Sequence, residues 1–132
     1  MEVIDKVGLL SFKNKNILMA KSKGRDKFYL PGGKREAEET DQACLTREIK
    51  EELGVELIPQ TVKYYGTFED QAHGKPEGVM IKLICYTGDF TGEARPESEI
   101  ASLEYLPFSR KPDTGTVAHK IFDDLKSKGL LD

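Results

Sequence analysis

The sequence predicts an α/β fold, an α/β/α sandwich around a mixed β-sheet, read as one domain over residues 1–132. Three observations predict it. Short β-branched and aliphatic runs recur along the chain, and two segments carry apolar residues at helical spacing. The length, 132 residues with 38% apolar and 33% charged, is enough to bury one hydrophobic core without disulfides or a structural metal.

The elements follow in order. Val3 to Phe12 and Ile17 to Ala20 read as a strand pair joined by the polar turn Lys13-Asn14-Lys15-Asn16. A basic loop, Lys21 to Lys27, leads into Phe28-Tyr29-Leu30, after which Pro31-Gly32-Gly33 is expected to halt the strand in a sharp turn. Residues 41 to 53 form the strongest helix. Thr40 is a good N-cap, Asp41 complements the helix dipole and Gly54 stands where a C-terminal glycine belongs, while Ala43 rules out a capping box. Thr61 to Phe68 and Val79 to Tyr86 read as strands, with the loop Gln71 to Glu77 between them expected to overhang a cleft. Glu99 to Leu106 reads as a further strand. Thr116 to Lys128 sets Val117, Ile121 and Leu125 on one stripe, a second amphipathic helix ending before Gly129.

Composition excludes several classes of function. Net charge is −3, with 20 basic residues interspersed among 23 acidic ones, so no long positive tract is offered to a nucleic acid or an anionic membrane. A phosphate compound would have to be held by a few local Lys or Arg side chains or by bound metal. Cys44 and Cys85 form no C-x-x-C pair, which argues against zinc, redox chemistry or a disulfide framework and for a reduced, cytoplasmic protein. The N-terminal residues resemble neither a signal peptide nor a membrane span.

The chemistry is concentrated in Gly33 to Val55. At 3.6 residues per turn, Glu48, Glu51 and Glu52 fall within an arc of roughly 100°, beside the apolar stripe Leu45, Ile49 and Leu53. An acidic face is by itself most often a solvated one, but like charges at this spacing repel, and a hard divalent cation is a good reason to gather them. Mg²⁺ suits carboxylates on one helix face together with phosphate oxygens and waters, and glycine lets the Gly33 carbonyl approach the same ion. Mn²⁺ is the alternative.

This segment resembles the Nudix box at every defined position: Gly33, Glu39, Arg47, Glu48, Ile49, Glu51, Glu52, Gly54 and Val55. Phe28 to Gly33 is similar to the usual entry to that box, and the predicted order of elements is that of a Nudix domain. The resemblance implies a metal-dependent hydrolase of phosphoanhydride bonds. It implies that Glu48 and Glu52 are metal ligands, that Glu51 is a ligand or positions the attacking water, and that Glu39 and Arg47 hold loop and helix in place, with Gly54 a structural support. Glu48, Glu51 and Arg47 are the candidate catalytic group. A further metal-binding acid from a later loop is expected, with Glu99 preferred over Glu97.

Lys34, Arg35 and Phe28 are the candidate substrate contacts, the first two for phosphates and the third for a base. Lys21, Lys23, Arg25 and Lys27 also flank the glycine pair, while Tyr29, Tyr64, Tyr65 and Phe68 read more simply as sheet or core residues. His73, His119 and both cysteines are assigned no role. The expected substrate is a small nucleotide, a nucleoside triphosphate cleaved to its monophosphate and pyrophosphate as in MutT-type members, by a monomer or homodimer. Hydrolysis of ADP-ribose, a nucleotide sugar or a dinucleoside polyphosphate is the alternative, and an inactive nucleotide-sensing module is the non-enzyme reading. An RNA 5′-end substrate is disfavoured by the charge.

Overall fold

The computed structural model describes residues 2–132. The chain forms a mixed α/β structure in which four strands make one sheet in the order β4-β1-β7-β6. These are β1 (Val3–Leu10), β4 (Gly32–Lys34), β6 (Lys63–Gln71) and β7 (Met80–Thr87). A three-stranded sheet has the order β2-β3-β9, from β2 (Phe12–Lys13), β3 (Asn16–Ser22) and β9 (Ile100–Leu106). β5 (Glu56–Leu57) and β8 (Phe90–Thr91) form a short antiparallel pair. The helices are α1 (Asp41–Leu53) and α2 (Thr116–Ser127).

The first strand does not fold back on Ile17–Ala20. β1 instead runs parallel to β7, from Val3 opposite Met80 to Leu10 opposite Thr87. Only Phe12 and Lys13 pair with Asn16 and Ile17 in the hairpin. Asn14 (φ 52°) and Lys15 (φ 62°) supply the two left-handed residues that a tight two-residue hairpin turn requires. The aliphatic run is continuous because the chain crosses from one sheet to the other at Ser11, and a buried strand in either sheet looks alike in sequence.

Pro31-Gly32-Gly33 also departs from expectation. Gly32 and Gly33 are not a turn but the start of β4, an edge strand antiparallel to β1 with Gly32 opposite Gly8 and Gly33 opposite Val7. Gly32 has φ 146°, and a Cβ there would lie 2.0 Å from the Val7 carbonyl oxygen. The glycine is needed for close backbone approach rather than for chain reversal.

Two hydrophobic clusters sandwich the strands between the helices. Cys44, Leu45, Ile49 and Leu53 of α1 pack with Val7, Leu9 and Leu18, while Val117, Ala118, Ile121, Phe122 and Leu125 of α2 pack with Leu10, Ile17, Met19, Leu83 and Cys85. Alternation along β1 sorts Val7 and Leu9 toward α1 and leaves Lys6 and Gly8 facing the other way. Gly8 confirms this direction, since a Cβ on it would meet Leu83 and Leu30. Among the described residues no helix is long and apolar enough to cross a membrane.

Candidate active site

The site is built on α1. Thr40 caps the helix by accepting from the Ala43 N–H at 3.1 Å, and Gly54 closes it in the left-handed conformation, donating to the Lys50 carbonyl at 3.1 Å. The apolar stripe of α1 is fully buried, which fixes the rotation of the helix and therefore the direction of its acids.

Because each residue turns about 100°, Glu48 and Glu52 lie about 40° apart on the helix wheel, whereas Glu51 lies about 60° to the far side of Glu48. The structure follows this geometry. Glu48 and Glu52 line a cleft together with Gly32, Gly33 and Lys34. Glu51 stays on the solvent flank, its side chain 53% exposed and 3.5 Å from an Arg47 nitrogen. Two carboxylates rather than three converge, and among the described residues no three His, Cys, Asp or Glu side chains form a ready metal cluster.

Burial pushes the Glu52 carboxyl up to about 7, against the pull of the Gly32 N–H that it accepts at 2.9 Å, and Glu48 adds to the rise. The Glu48 carboxyl is also raised, chiefly by burial and against the pull of Arg47. Gly33 lies directly against this group: a Cβ there would come within 2.5 Å of the Glu48 carboxylate. The Gly33 carbonyl accepts from Cys44 Sγ at 3.6 Å. Two desolvated carboxylates side by side are an all-oxygen donor set short of positive charge, which fits a hard divalent cation that keeps waters or substrate oxygens as its remaining ligands.

Arg47 holds this arrangement together. Its Nε and Nη2 donate to the two Glu39 oxygens at 2.7 and 2.9 Å, Nη1 donates to Glu48 at 3.0 Å, and Nη2 also reaches the Lys34 carbonyl at 3.1 Å. One guanidinium thus ties the loop before α1 to β4 and to a cleft carboxylate. The forked hydrogen bond from Arg47 holds the Glu39 carboxyl down at about 2.

The remaining candidates divide. Glu99 lines the cleft, while Glu97 turns away, paired with Arg95 at 2.8 Å and packed near Gly54. Lys34 lines the cleft. Arg35 does not contribute: it is ion-paired with Asp5 at 2.8 Å and with Asp41, whose other oxygen accepts from Tyr86, so its charge braces α1 against the sheet. Phe28 is likewise a core residue rather than a base contact, 3% exposed beneath Lys21. The loop before β7 supplies no residue to the lining of the acidic cleft; His73 reaches Asp26 at 3.3 Å and lies near the ring of Tyr29, which lines an adjoining cavity. Both cysteines are buried, with thiols pushed up by burial to about 11 and about 12.

Sequence reasoning passed over Lys6. Its side chain borders both the acidic cleft and an adjoining cavity of about 130 Å³ that runs between the sheets to the start of α2. Burial lowers its pKa, with nearby Lys34 adding to the effect and Glu52 opposing it. No local motif marks a lone lysine in a strand; its place depends on the β1–β7 register.

A family model described as NUDIX domain matches residues 4–124. The ADP-ribose pyrophosphatase of Methanocaldococcus jannaschii is 29% identical over 119 residues, which span 89% of this chain and 69% of that protein. The NAD-capped RNA hydrolase NudC of Vibrio vulnificus is 30% identical over 118 residues, 84% of this chain but only 42% of that longer protein. Among solved structures, a MutT NUDIX hydrolase from Burkholderia pseudomallei superposes with a TM-score of 0.76 at 23% identity, covering 94% of this chain and 98% of that one. The MutT protein from Methanosarcina mazei Go1 gives 0.77 at 17% identity, covering 97% and 96%. At these identities the structural likeness speaks to the fold.

Proposed function

The chain belongs to the NUDIX family and is a hydrolase, and from that premise we propose that it cleaves a nucleoside triphosphate to the monophosphate and pyrophosphate. The observation that carries the reading is the pair of desolvated carboxylates, Glu48 and Glu52, set beside the Gly32-Gly33 strand and opening onto an apolar cavity. In this reading the phosphates lie in the acidic cleft and the base enters the cavity.

Glu48 and Glu52 would hold Mg²⁺ or Mn²⁺, with Glu99 across the cleft and the Gly33 backbone beside them. When bound, such an ion would supply neutralisation of the pyrophosphate charge and would acidify water. Lys34 adds positive charge at the cleft wall. Attack of water would form the new bond to phosphorus as the bridging P–O bond breaks and pyrophosphate leaves with the bridging oxygen. Of the two candidate bases Glu48, which lines the cleft, is placed to take the proton, whereas Glu51 on the solvent flank is not. Arg47 keeps Glu48 in position through its fork to Glu39.

The 29% identity to an ADP-ribose pyrophosphatase favours a second reading, cleavage of ADP-ribose at the same site. The test is Mg²⁺-dependent release of phosphate species from canonical and oxidised nucleoside triphosphates, ADP-ribose, nucleotide sugars and diadenosine polyphosphates, with Glu52→Gln alongside. Triphosphate turnover that the variant loses is the expected result. Turnover of ADP-ribose alone would replace the first reading with the second, and a folded, metal-bound protein that turns over none of the panel would overturn both.

A further inference from the structure

The cavity beside the cleft has apolar walls, among them Leu30, Ile81, Leu83 and Val117, so its few polar groups decide what can be buried there. Those groups are predominantly donors. Lys6 contributes an ammonium with three N–H bonds and no acceptor, and Arg25 at the rim is likewise donor-only. Arg25 Nη2 lies 3.5 Å from the Tyr29 hydroxyl oxygen, which can accept from it and leaves the Tyr29 O–H available as another donor. Ser22 can take either role.

Acceptors are scarce by comparison. Glu52 already accepts the Gly32 N–H, and in the hydrolase reading its charge is committed to the cation. Backbone groups of the wall are taken up as well: Ala20 and Tyr29 exchange both their N–H and C=O groups at 2.8 Å. Lys6 is set apart further. Among the described residues it forms no side-chain hydrogen bond or ion pair, and no side-chain nitrogen or oxygen is both buried and unpartnered, so its ammonium is accessible at the boundary of the cleft and the cavity, both of which it lines.

We propose that this cavity selects a 6-oxopurine over a 6-aminopurine, with Lys6 as the residue that reads the base. A 6-oxopurine presents two adjacent acceptors, O6 and N7, which one ammonium can serve together, whereas the amino group of adenine would turn its own donors toward Lys6 and leave them unpaired. The inference rests on the hydrolase reading and narrows it, and it would separate this chain from the relatives named for ADP-ribose and NAD-capped RNA, whose substrates carry adenine.

IMP and AMP differ at the 6-position and in the proton on N1, so their dissociation constants isolate the effect without turnover. IMP is expected to bind about tenfold more tightly than AMP, the lower range of what one bidentate donor discriminates. Lys6→Met, which keeps the buried stem, should bring the two within about twofold, and Lys6→Arg should restore the preference; urea denaturation checks that each variant is folded. Tyr29→Phe serves as a second variant, lowering the ratio less than Lys6→Met. Initial rates on ITP and ATP with Mg²⁺ should rank the same way in kcat/KM. AMP binding equal to or tighter than IMP binding, or a ratio untouched in folded Lys6→Met, overturns the proposal. An IMP preference without turnover of either triphosphate supports base selection and overturns triphosphate hydrolysis.

Discussion

Replacing Glu52 by Gln tests whether its buried carboxylate is held in wait for a cation. Burial raises this carboxyl from 4.5 to about 7, while its Oε1 accepts the Gly32 N–H. Between those two values the unfolded chain has already released a proton that the folded chain retains, so the stability of the metal-free protein falls as pH rises through the window. Below about pH 4.5 no penalty exists, and above about pH 7 it is complete, on the order of 3 kcal/mol. The amide of Glu52→Gln keeps an oxygen for the Gly32 N–H and carries no charge. In EDTA at pH 8 the variant should therefore be more stable than wild type by about 2–3 kcal/mol, with most of the slope between pH 5 and 7 gone and the remainder owed to Glu48. Urea denaturation at pH 5, 6, 7 and 8 measures this. Adding Mg²⁺ should stabilise wild type with a logarithmic dependence on concentration and leave the variant nearly unmoved. A variant less stable than wild type at pH 8, or an unchanged slope, would refute the claim that Glu52 is desolvated and uncompensated.

Two further outcomes follow from the same geometry. Arg47→Lys keeps the charge but loses the fork to Glu39 and the bonds to Glu48 and Lys34, so kcat/KM should fall about 10- to 100-fold, with a matching loss of Mg²⁺ affinity by calorimetry; an unchanged Mg²⁺ affinity would remove Arg47 from its positioning role. Gly32→Ala places a methyl group 2.0 Å from the Val7 carbonyl at φ 146°, so β4 must part from β1 at a cost of at least about 3 kcal/mol, read as a lowered urea midpoint.

The helix of the site, and the kind of chemistry it serves, could be read from the chain alone. Residues 41–53 carry their caps, their buried stripe and their acidic face within a single stretch, and the bonds that form a helix are local. The resemblance implied that Arg47 and Glu39 support the loop and helix, while the two-bond fork between them depends on how the loop folds back onto α1. What depends on distant segments was not legible. The run after Val3 reads as one strand of a hairpin, yet it divides between two sheets and pairs in parallel with a strand far along the chain, Val3 opposite Met80. Gly32 and Gly33 read as a turn because glycine permits turns, but close contact with β1 makes them a strand. Phe28 was available to a base in sequence and is in the core in space, because Thr114 bridges alongside it and α2 packs over it. Glu51 shares one acidic arc with Glu48 and Glu52 in sequence, but which side of that arc faces the cleft is set by the packing of α1 beside β4, and this leaves Glu51 on the solvent flank. Lys6 is the clearest case. Nothing near it in sequence distinguishes it from other lysines, and only the parallel register of β1 on β7, opposite Leu83, sets its side chain at the boundary of the acidic cleft and the cavity that reaches α2. Local hydrogen bonding and periodicity are written residue by residue, whereas a cavity is formed by segments that meet only when the sheets and helices have packed.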